Sequence, residues 1–288
     1  MRKVVICGQS QLTTAVIKTL IESSLPLELS ILSPDVPEVA SLELLSQMGH
    51  NPIVKLTAKT WPSVDVLVVT DFGEATGSDF QQTMLAQLRK VMSTAMAAGF
   101  QGKVLVATHE DAVLTYFAQR FSGLAKETVV GLGTFGLSAC FERLVSSALK
   151  VPRRQVTAYA VGTASHPVLL WSRAYVAATP LLALLPPVDG TANPLLTQVT
   201  EAVSAYAQGE AAIFWPALVQ RVLAGFFGQP LLAPLTMIHE AAAWSIPVLV
   251  NEAGVQVLAP MTAADAEMAA LATVQTTQAA QVAAIQGE

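Results

Sequence analysis

His109, Glu110 and Asp111 follow one another directly after an apolar, strand-like run. An imidazole beside two carboxylates has the composition of an acid/base or metal site. Adjacent residues at the start of a helix nevertheless point in different directions, and acids there favour the positive end of the helix dipole. We therefore interpret the triplet as a helix start and predict no metal site.

A turn with the spacing of a phosphate-binding loop follows the first strand-like run and reads Gly8-Gln-Ser10-Gln-Leu-Thr13. Dinucleotide-binding turns carry glycine at all three numbered positions, so that the backbone approaches the diphosphate and the helix packs closely. Only Gly8 keeps the pattern, because Ser10 narrows the space for a diphosphate and Thr13 pushes the helix outward. A helix N-terminus still favours anions, but the turn favours a helix start without a ligand.

Strands and helices alternate through the first half of the chain, which predicts a doubly wound parallel sheet. The predicted strands are residues 3–7, 27–32, 65–70, 103–107 and 128–132, and the predicted helices are 11–22, 38–48, 80–98, 111–121 and 138–149. The fold class is therefore α/β, with a Rossmann sheet first.

The pattern changes near residue 150. Strand-like segments at 155–162 and 168–176 precede helices at 195–207 and 210–227, and a meander follows at 237–242, 247–250 and 254–258. This order predicts an α+β lobe after the Rossmann lobe. We place the domains at 1–149 and 150–288, since single cores stop growing at roughly 250–300 residues.

Composition narrows the classes of partner. Of the 288 residues, 52% are hydrophobic and 13% charged, against about 25% charged in an average soluble domain, which predicts a homo-oligomer. The scattered basic residues form no stripe for nucleic acid.

Residues 174–188 and 223–238 are apolar but shorter than the roughly 20 residues of a membrane span. Two cysteines make no disulfide framework, and the chain starts directly in a strand, so we expect a cytoplasmic protein.

Particular segments resemble the L-lactate/malate dehydrogenase family. They are Gly99–Thr108, Leu114–Thr134, Val156–Gly162 and Leu170–Ser172. The resemblance implies a Rossmann lobe followed by an α+β lobe, assembly into dimers or tetramers, and hydride transfer between NAD and an L-2-hydroxyacid.

The family's chemistry needs a histidine that exchanges the hydroxyl proton, a carboxylate that orients it, an arginine that clamps the substrate carboxylate and a loop arginine that polarises the carbonyl. By resemblance, these positions fall, in that order, at Ala164, Leu137, Cys140 and Phe80. None of these residues can replace the group that is missing. His166, two positions after Ala164, is a weak candidate for a replacement base, and we favour a solvated loop residue there.

The positions that hold the cofactor are altered as well. The acidic residue that binds the adenosine ribose falls at Ser33, and the turn after the next predicted strand begins at Thr70 and continues with Asp71 and Glu74. Two acids beside a diphosphate are unfavourable by about 1–4 kcal/mol per close pair at surface-like dielectric. The degenerate cofactor positions are Gly8, Ser10, Thr13, Ser33 and Thr70, and we expect no bound NAD.

Three functions remain open. The first is a catalytically degenerate relative of the family, kept as a binding or structural protein or as a subunit that pairs with an active relative. The alternative is an NAD(P)-dependent oxidoreductase with an apolar substrate and re-sited catalytic groups such as His166. The third is a small-molecule sensor that uses the emptied cleft.

Overall fold

A computed structural model describes residues 1–33, 35–73, 79–188, 190–209 and 211–287. In the first half, strands and helices alternate as the sequence predicts, with bounds that differ by up to three residues. The elements are β1 (Arg2–Cys7), α1 (Gln11–Ile21), β2 (Leu27–Ile31), α2 (Val39–Met48), β3 (Val66–Thr70), α3 (Phe80–Ala97), β4 (Lys103–Ala107), α4 (Asp111–Ser122), β5 (Val129–Gly131) and α5 (Phe135–Leu149).

The five strands form a parallel sheet in the order β2-β1-β3-β4-β5. Ile53 adds an isolated parallel bridge to Leu29, at the place of one more strand beyond β2. Successive residues of a strand face opposite sides of a sheet. Accordingly, Val4 packs with α1 on one side and Val5 packs with α3 on the other. Helices on both faces confirm the predicted doubly wound α/β fold.

The second half is an α+β arrangement, also as predicted. Its elements are β6 (Val156–Thr157), β7 (Ala160–Gly162), β8 (Pro167–Leu169), β9 (Tyr175–Val176), β10 (Thr179–Pro180), α6 (Leu181–Leu184), α7 (Pro194–Gly209), α8 (Trp215–Phe226), β11 (Leu231–Ile238), β12 (Ala243–Asn251), β13 (Gly254–Gln256) and α9 (Asp265–Gly287).

The sheet does not stop at the predicted domain boundary. Antiparallel pairing of Thr236 with Gly131 joins β11 to β5, and β12, β7 and β8 extend the same sheet, which has ten strands among the described residues. The boundary at 149 coincides with the end of α5, but one hydrogen-bonded sheet runs through both halves.

Four second-half predictions were wrong in detail. The strands expected at 155–162 and 168–176 are each divided in two, the first into β6 and β7 and the second into β8 and β9. The strand expected at 237–242 is the end of β11 followed by a turn, and β11 begins six residues earlier, at Leu231. The helix expected at 210–227 begins as α8 at Trp215, because Pro216 is suited to a first turn and not to a helix interior. Within the described residues, we find no helix with the length and apolar character needed to cross a membrane.

Candidate functional site

The turn between β1 and α1 is closely packed around Gly8. Its φ is +151°, and a β-carbon there would lie 1.9 Å from Thr70 Oγ1, 2.6 Å from Thr13 Oγ1 and 2.9 Å from the Asp71 carbonyl oxygen. Glycine is therefore required at position 8 both for its backbone conformation and for lack of space.

Four buried hydroxyls, which we call the hydroxyl cluster, fill this turn: those of Ser10, Thr13, Ser33 and Thr70. Ser10 is the N-cap of α1, and its Oγ accepts from the Thr13 N–H at 3.3 Å while Thr13 Oγ1 accepts from the Ser10 N–H at 3.1 Å. Such a reciprocal arrangement is a capping box, which satisfies donors at the start of a helix. Thr13 Oγ1 also lies 2.7 Å from Thr70 Oγ1, which links α1 to β3.

Four backbone donors of the turn therefore bond within the protein. The Gly8 N–H donates to Ser33 Oγ at 3.2 Å, and the Gln9 N–H donates to the Asp71 carbonyl oxygen at 2.8 Å. The N–H groups of Ser10 and Thr13 are engaged in the capping box. Since a helix N-terminus binds an anion through backbone N–H groups that point at it, a diphosphate here would have to displace these bonds.

An aspartate–histidine pair lies at the carboxyl ends of β3 and β4. The carboxylate of Asp71 is buried, with Oδ2 2.7 Å from His109 Nδ1, and Oδ1 accepts from the His109 N–H at 3.2 Å. No lysine or arginine lies close to Asp71 in sequence, and its partner is an imidazole from the neighbouring strand end. Glu74, the other acid that the sequence analysis placed beside a diphosphate, lies outside the described residues.

Aromatic rings surround the same imidazole. The centroid of His109 is 4.9 Å from that of Trp215 and 6.4 Å from that of Phe80. Phe80 falls, by resemblance, at the position of the family's loop arginine. Its ring packs edge-to-face against the His109 ring and carries no charge.

Asp111, on the first turn of α4, is buried and bonded away from the pair. Its Oδ2 accepts from Thr236 Oγ1 at 2.6 Å and from the Gly133 N–H at 2.9 Å. Burial raises the pKa of Asp111 to about 6, against the lowering effect of these two hydrogen bonds. Burial also raises the pKa of Glu110. The three consecutive residues therefore have different hydrogen-bond partners, which are Asp71 for His109, Gln81 for Glu110, and Thr236 and Gly133 for Asp111.

The raised pKa of Asp111 makes stability depend on pH. A carboxyl group whose folded pKa lies above its unfolded value of 3.8 destabilises the folded state once it ionises. The penalty is absent below about pH 4 and complete above about pH 6. For Asp111→Asn, we expect the free energy of unfolding relative to the unmodified protein to rise between pH 4 and pH 7 by on the order of 3 kcal/mol. Urea unfolding across this range measures the difference.

Asp265→Asn, at an exposed position at the start of α9, is the matched control for loss of a surface charge. If the pH curves of Asp111→Asn and the unmodified protein ran parallel, the assignment of the penalty to Asp111 would be refuted.

Two positions of the family's substrate chemistry lie in the core of the second half. Leu137 and Cys140, both on α5, are 2% and 4% exposed and belong to one apolar cluster with Val156, Val199 and other buried residues. Burial raises the pKa of the Cys140 thiol. A side chain that clamps or orients a polar substrate must reach an open cavity, whereas Leu137 and Cys140 are buried in this apolar cluster.

Ala164 and His166 lie in the loop between β7 and β8. Ala164 is partly buried, whereas His166 is exposed, and its Nδ1 lies 3.1 Å from Ser165 Oγ. Both residues line a cavity of about 260 Å³, which we call the polar cavity, and His109 lines it from the other side. His166 thus lines the same cavity as Ala164, the position at which the family's histidine falls by resemblance, whereas Leu137 and Cys140 lie in the apolar core.

The structure brings some predicted positions together and separates others. All five cofactor positions meet at the hydroxyl cluster and Gly8. The four catalytic positions are dispersed: Phe80 lies against His109, Leu137 and Cys140 lie in the core, and Ala164 lines the polar cavity. The Asp71–His109 pair was not predicted from the sequence. The signal that could have found it is the adjacent pairing of β3 and β4, because Thr70 lies opposite Ala107 and both members of the pair follow the ends of these strands.

Comparisons with known proteins find similarity to L-lactate dehydrogenases. The L-lactate dehydrogenase of Geobacillus stearothermophilus is 37% identical over 108 residues, which are 37% of this chain and 34% of that protein. L-Lactate dehydrogenase 1 of Staphylococcus aureus is 32% identical over 194 residues, 64% of this chain and 61% of that protein. The matches therefore span less than two thirds of these relatives. No protein-family model matches the chain.

Solved structures of low sequence identity share the fold along nearly the whole chain. The minor L-lactate dehydrogenase from Enterococcus mundtii, in its ligands-bound form, has a TM-score of 0.85 at 20% identity and covers 99% of this chain and 98% of its own. A lactate dehydrogenase named MGS-M5, from a Medee basin deep-sea metagenome library, has a TM-score of 0.80 at 20% identity, with 98% and 97% covered.

Proposed function

We propose that this chain, a divergent relative of the L-lactate dehydrogenases, is catalytically degenerate and acts as a binding or structural protein. The observation that carries the proposal is the hydroxyl cluster. It fills the turn where the family would place a diphosphate, and the backbone donors around it bond to the protein itself. An unpaired buried donor or acceptor costs about 1–3 kcal/mol, so a nucleotide must replace each bond it breaks.

The residues at the catalytic positions support the same conclusion. Leu137 and Cys140 are packed in an apolar core, and Ala164 has no group that exchanges a proton. Losing one such group is compatible with a weakened enzyme. Losing the base, its orienting carboxylate, the substrate clamp and the loop arginine together removes every step of the family's mechanism.

A titration with NADH tests the proposal directly. On titration with NADH up to just below millimolar concentration, we expect neither calorimetric heat nor a shift in Tm. Ser10, Thr13, Ser33 and Asp71 each disfavour the dinucleotide by about 1 kcal/mol or more, which together weakens binding by roughly 10³-fold or beyond. An L-lactate dehydrogenase titrated in the same buffer is the positive control. A dissociation constant in the low micromolar range would overturn this expectation.

We extend the proposal to assembly and location. Leu44 and Met48, one turn apart on α2, are 63% and 82% exposed. Two large apolar side chains that are exposed side by side on one helix face favour contact with a second protein. The chain then forms a homodimer or homotetramer, or pairs with an active relative. A sedimentation mass of one chain at micromolar concentration would contradict the homo-oligomer.

Both cysteines are buried free thiols, which supports a cytoplasmic location.

One observation favours the alternative, an NAD(P)-dependent oxidoreductase with re-sited groups. A buried carboxylate that fixes an imidazole, as Asp71 fixes His109, is the arrangement that supports general acid/base catalysis. His109 is therefore a stronger candidate base than His166, whose partner is a serine. Turnover that His109→Gln abolishes and His166→Gln leaves intact would establish this alternative.

A further inference from the structure

The polar cavity is bounded by three segments. They are the start of α4, the loop between β7 and β8, and the middle of α9, which contributes Thr277, Gln278 and Gln281. Of the four catalytic positions, only Ala164 lines it. Its volume of about 260 Å³ exceeds the roughly 150 Å³ of an engineered cavity that takes up benzene. It therefore has room for a small organic molecule.

Gln278, which lines this cavity, has an unsatisfied acceptor. The residue is 5% exposed, and its Nε2 donates to Gln281 Oε1 at 3.2 Å. Its own Oε1 is buried and has no hydrogen-bond partner among the described residues. Buried polar atoms without partners are rare in folded proteins and are costly to leave so. The occupant of the cavity should therefore carry a hydrogen-bond donor.

The charges around the cavity determine the sign of that donor. Glu110 contributes a carboxyl group to the lining. Asp111 and His109 also line the cavity, but the Asp111 carboxylate accepts hydrogen bonds from Thr236 and Gly133. None of the described lining residues is lysine or arginine. Burial of Glu110 disfavours its ionised form, and a cation beside it would offset that cost. The basic side chains among the described lining residues are the imidazoles of His109 and His166.

We propose that the polar cavity binds a small organic ammonium ion, a primary amine of a few carbon atoms, whose N–H groups donate to Gln278 Oε1 and to the Glu110 carboxylate. An ammonium group has three donors and no acceptor, which matches a wall that offers acceptors. The site goes beyond the proposed function, and it holds whether or not a dinucleotide binds elsewhere.

Titration with ethylammonium, followed by NMR of the side-chain amides, tests the site, with ethylene glycol and acetate as the neutral and anionic probes. We expect saturable binding of ethylammonium that shifts the Gln278 amide resonance. Gln278→Met keeps the volume of the side chain and removes the acceptor, and Glu110→Gln removes the charge; each should weaken binding at least tenfold. Gln275→Met, the same change one turn earlier on α9 and outside the cavity lining, should leave it unchanged.

Three results would overturn the proposal. They are no saturable binding of ethylammonium, which means that the cavity holds water only; binding of glycol or acetate as tight as that of ethylammonium; and binding that neither cavity variant weakens. Should Gln278→Met fail to fold, as judged by circular dichroism, Glu110→Gln decides the outcome alone. NADH binding is measured separately, so failure of this site and failure of the proposed function are distinguishable.

Discussion

Purified protein is expected to oxidise NADH no faster with pyruvate, oxaloacetate or a branched 2-oxoacid than without them. Ala164 has no proton to donate to a substrate carbonyl, Cys140 cannot clamp a carboxylate, and Leu137 cannot orient a base. General acid/base groups typically contribute about 10²–10⁴-fold each, although such losses are not additive. The decrease of NADH absorbance at saturating substrate measures the rate.

An active L-lactate dehydrogenase in the same assay controls for substrate and cofactor quality. Turnover within the ordinary range of roughly 1–10³ per second would refute catalytic degeneracy, and the paired variants His109→Gln and His166→Gln would then identify the group responsible. If folded protein oxidises NADH only at the background rate, the result supports a binding or structural role.

Gly8→Ala is expected to lower the free energy of unfolding by about 3–5 kcal/mol. The new methyl group would overlap Thr70 Oγ1 at 1.9 Å and approach the Asp71 carbonyl oxygen at 2.9 Å. Relief of that overlap requires either that β1 and β3 separate or that Thr70 abandons its hydrogen bonds to Cys7 and Thr13. Urea unfolding at neutral pH measures the loss.

Gly73→Ala is the matched control, since Gly73 has nearly the same φ, +158°, and a β-carbon there would have no neighbour within 4 Å in the part of the chain that the structure describes. We expect it to cost about 1 kcal/mol, the conformational part alone. Equal losses in the two variants would mean that backbone conformation, and not packing of the hydroxyl cluster, requires glycine at position 8.

The sequence was sufficient to predict the Rossmann half because its strands are buried on both faces. Val66–Thr70 and Lys103–Ala107 are continuous apolar runs bounded by turns, and such runs are typical of central parallel strands. The helices between them have regular apolar faces. Local pattern and tertiary environment therefore agree, and the element bounds differ only at the ends.

β11 was harder to predict because proline interrupts it. Pro234 reads as a strand breaker, yet it lies opposite Pro247 of β12 in the antiparallel ladder, so the two missing N–H donors are confined to one rung. Only the pairing of β11 with β12, the next strand along the chain, makes that arrangement acceptable. A single-segment pattern cannot contain this information.

The candidate site divides in the same way. The hydroxyl cluster could be located from the spacing of Gly8, Ser10 and Thr13 in one turn. Whether those hydroxyls would bond to each other or remain open to a ligand depends on Thr70, which comes from another strand. The unpartnered acceptor of Gln278 arises where α9 packs on α4, β7, β8 and β12, and the sequence of α9 alone does not mark it.

The continuous sheet has a consequence for how the chain is made. β5 obtains its neighbour β11 through the pairing of Gly131 with Thr236, about 100 residues later in synthesis. At roughly 5–20 residues per second, the growing chain carries an open strand edge for about 5–20 s before that neighbour emerges. Open edges are templates for pairing with other chains. The yield of native protein in the cell therefore depends on translation speed and on chaperones that shield the unfinished edge.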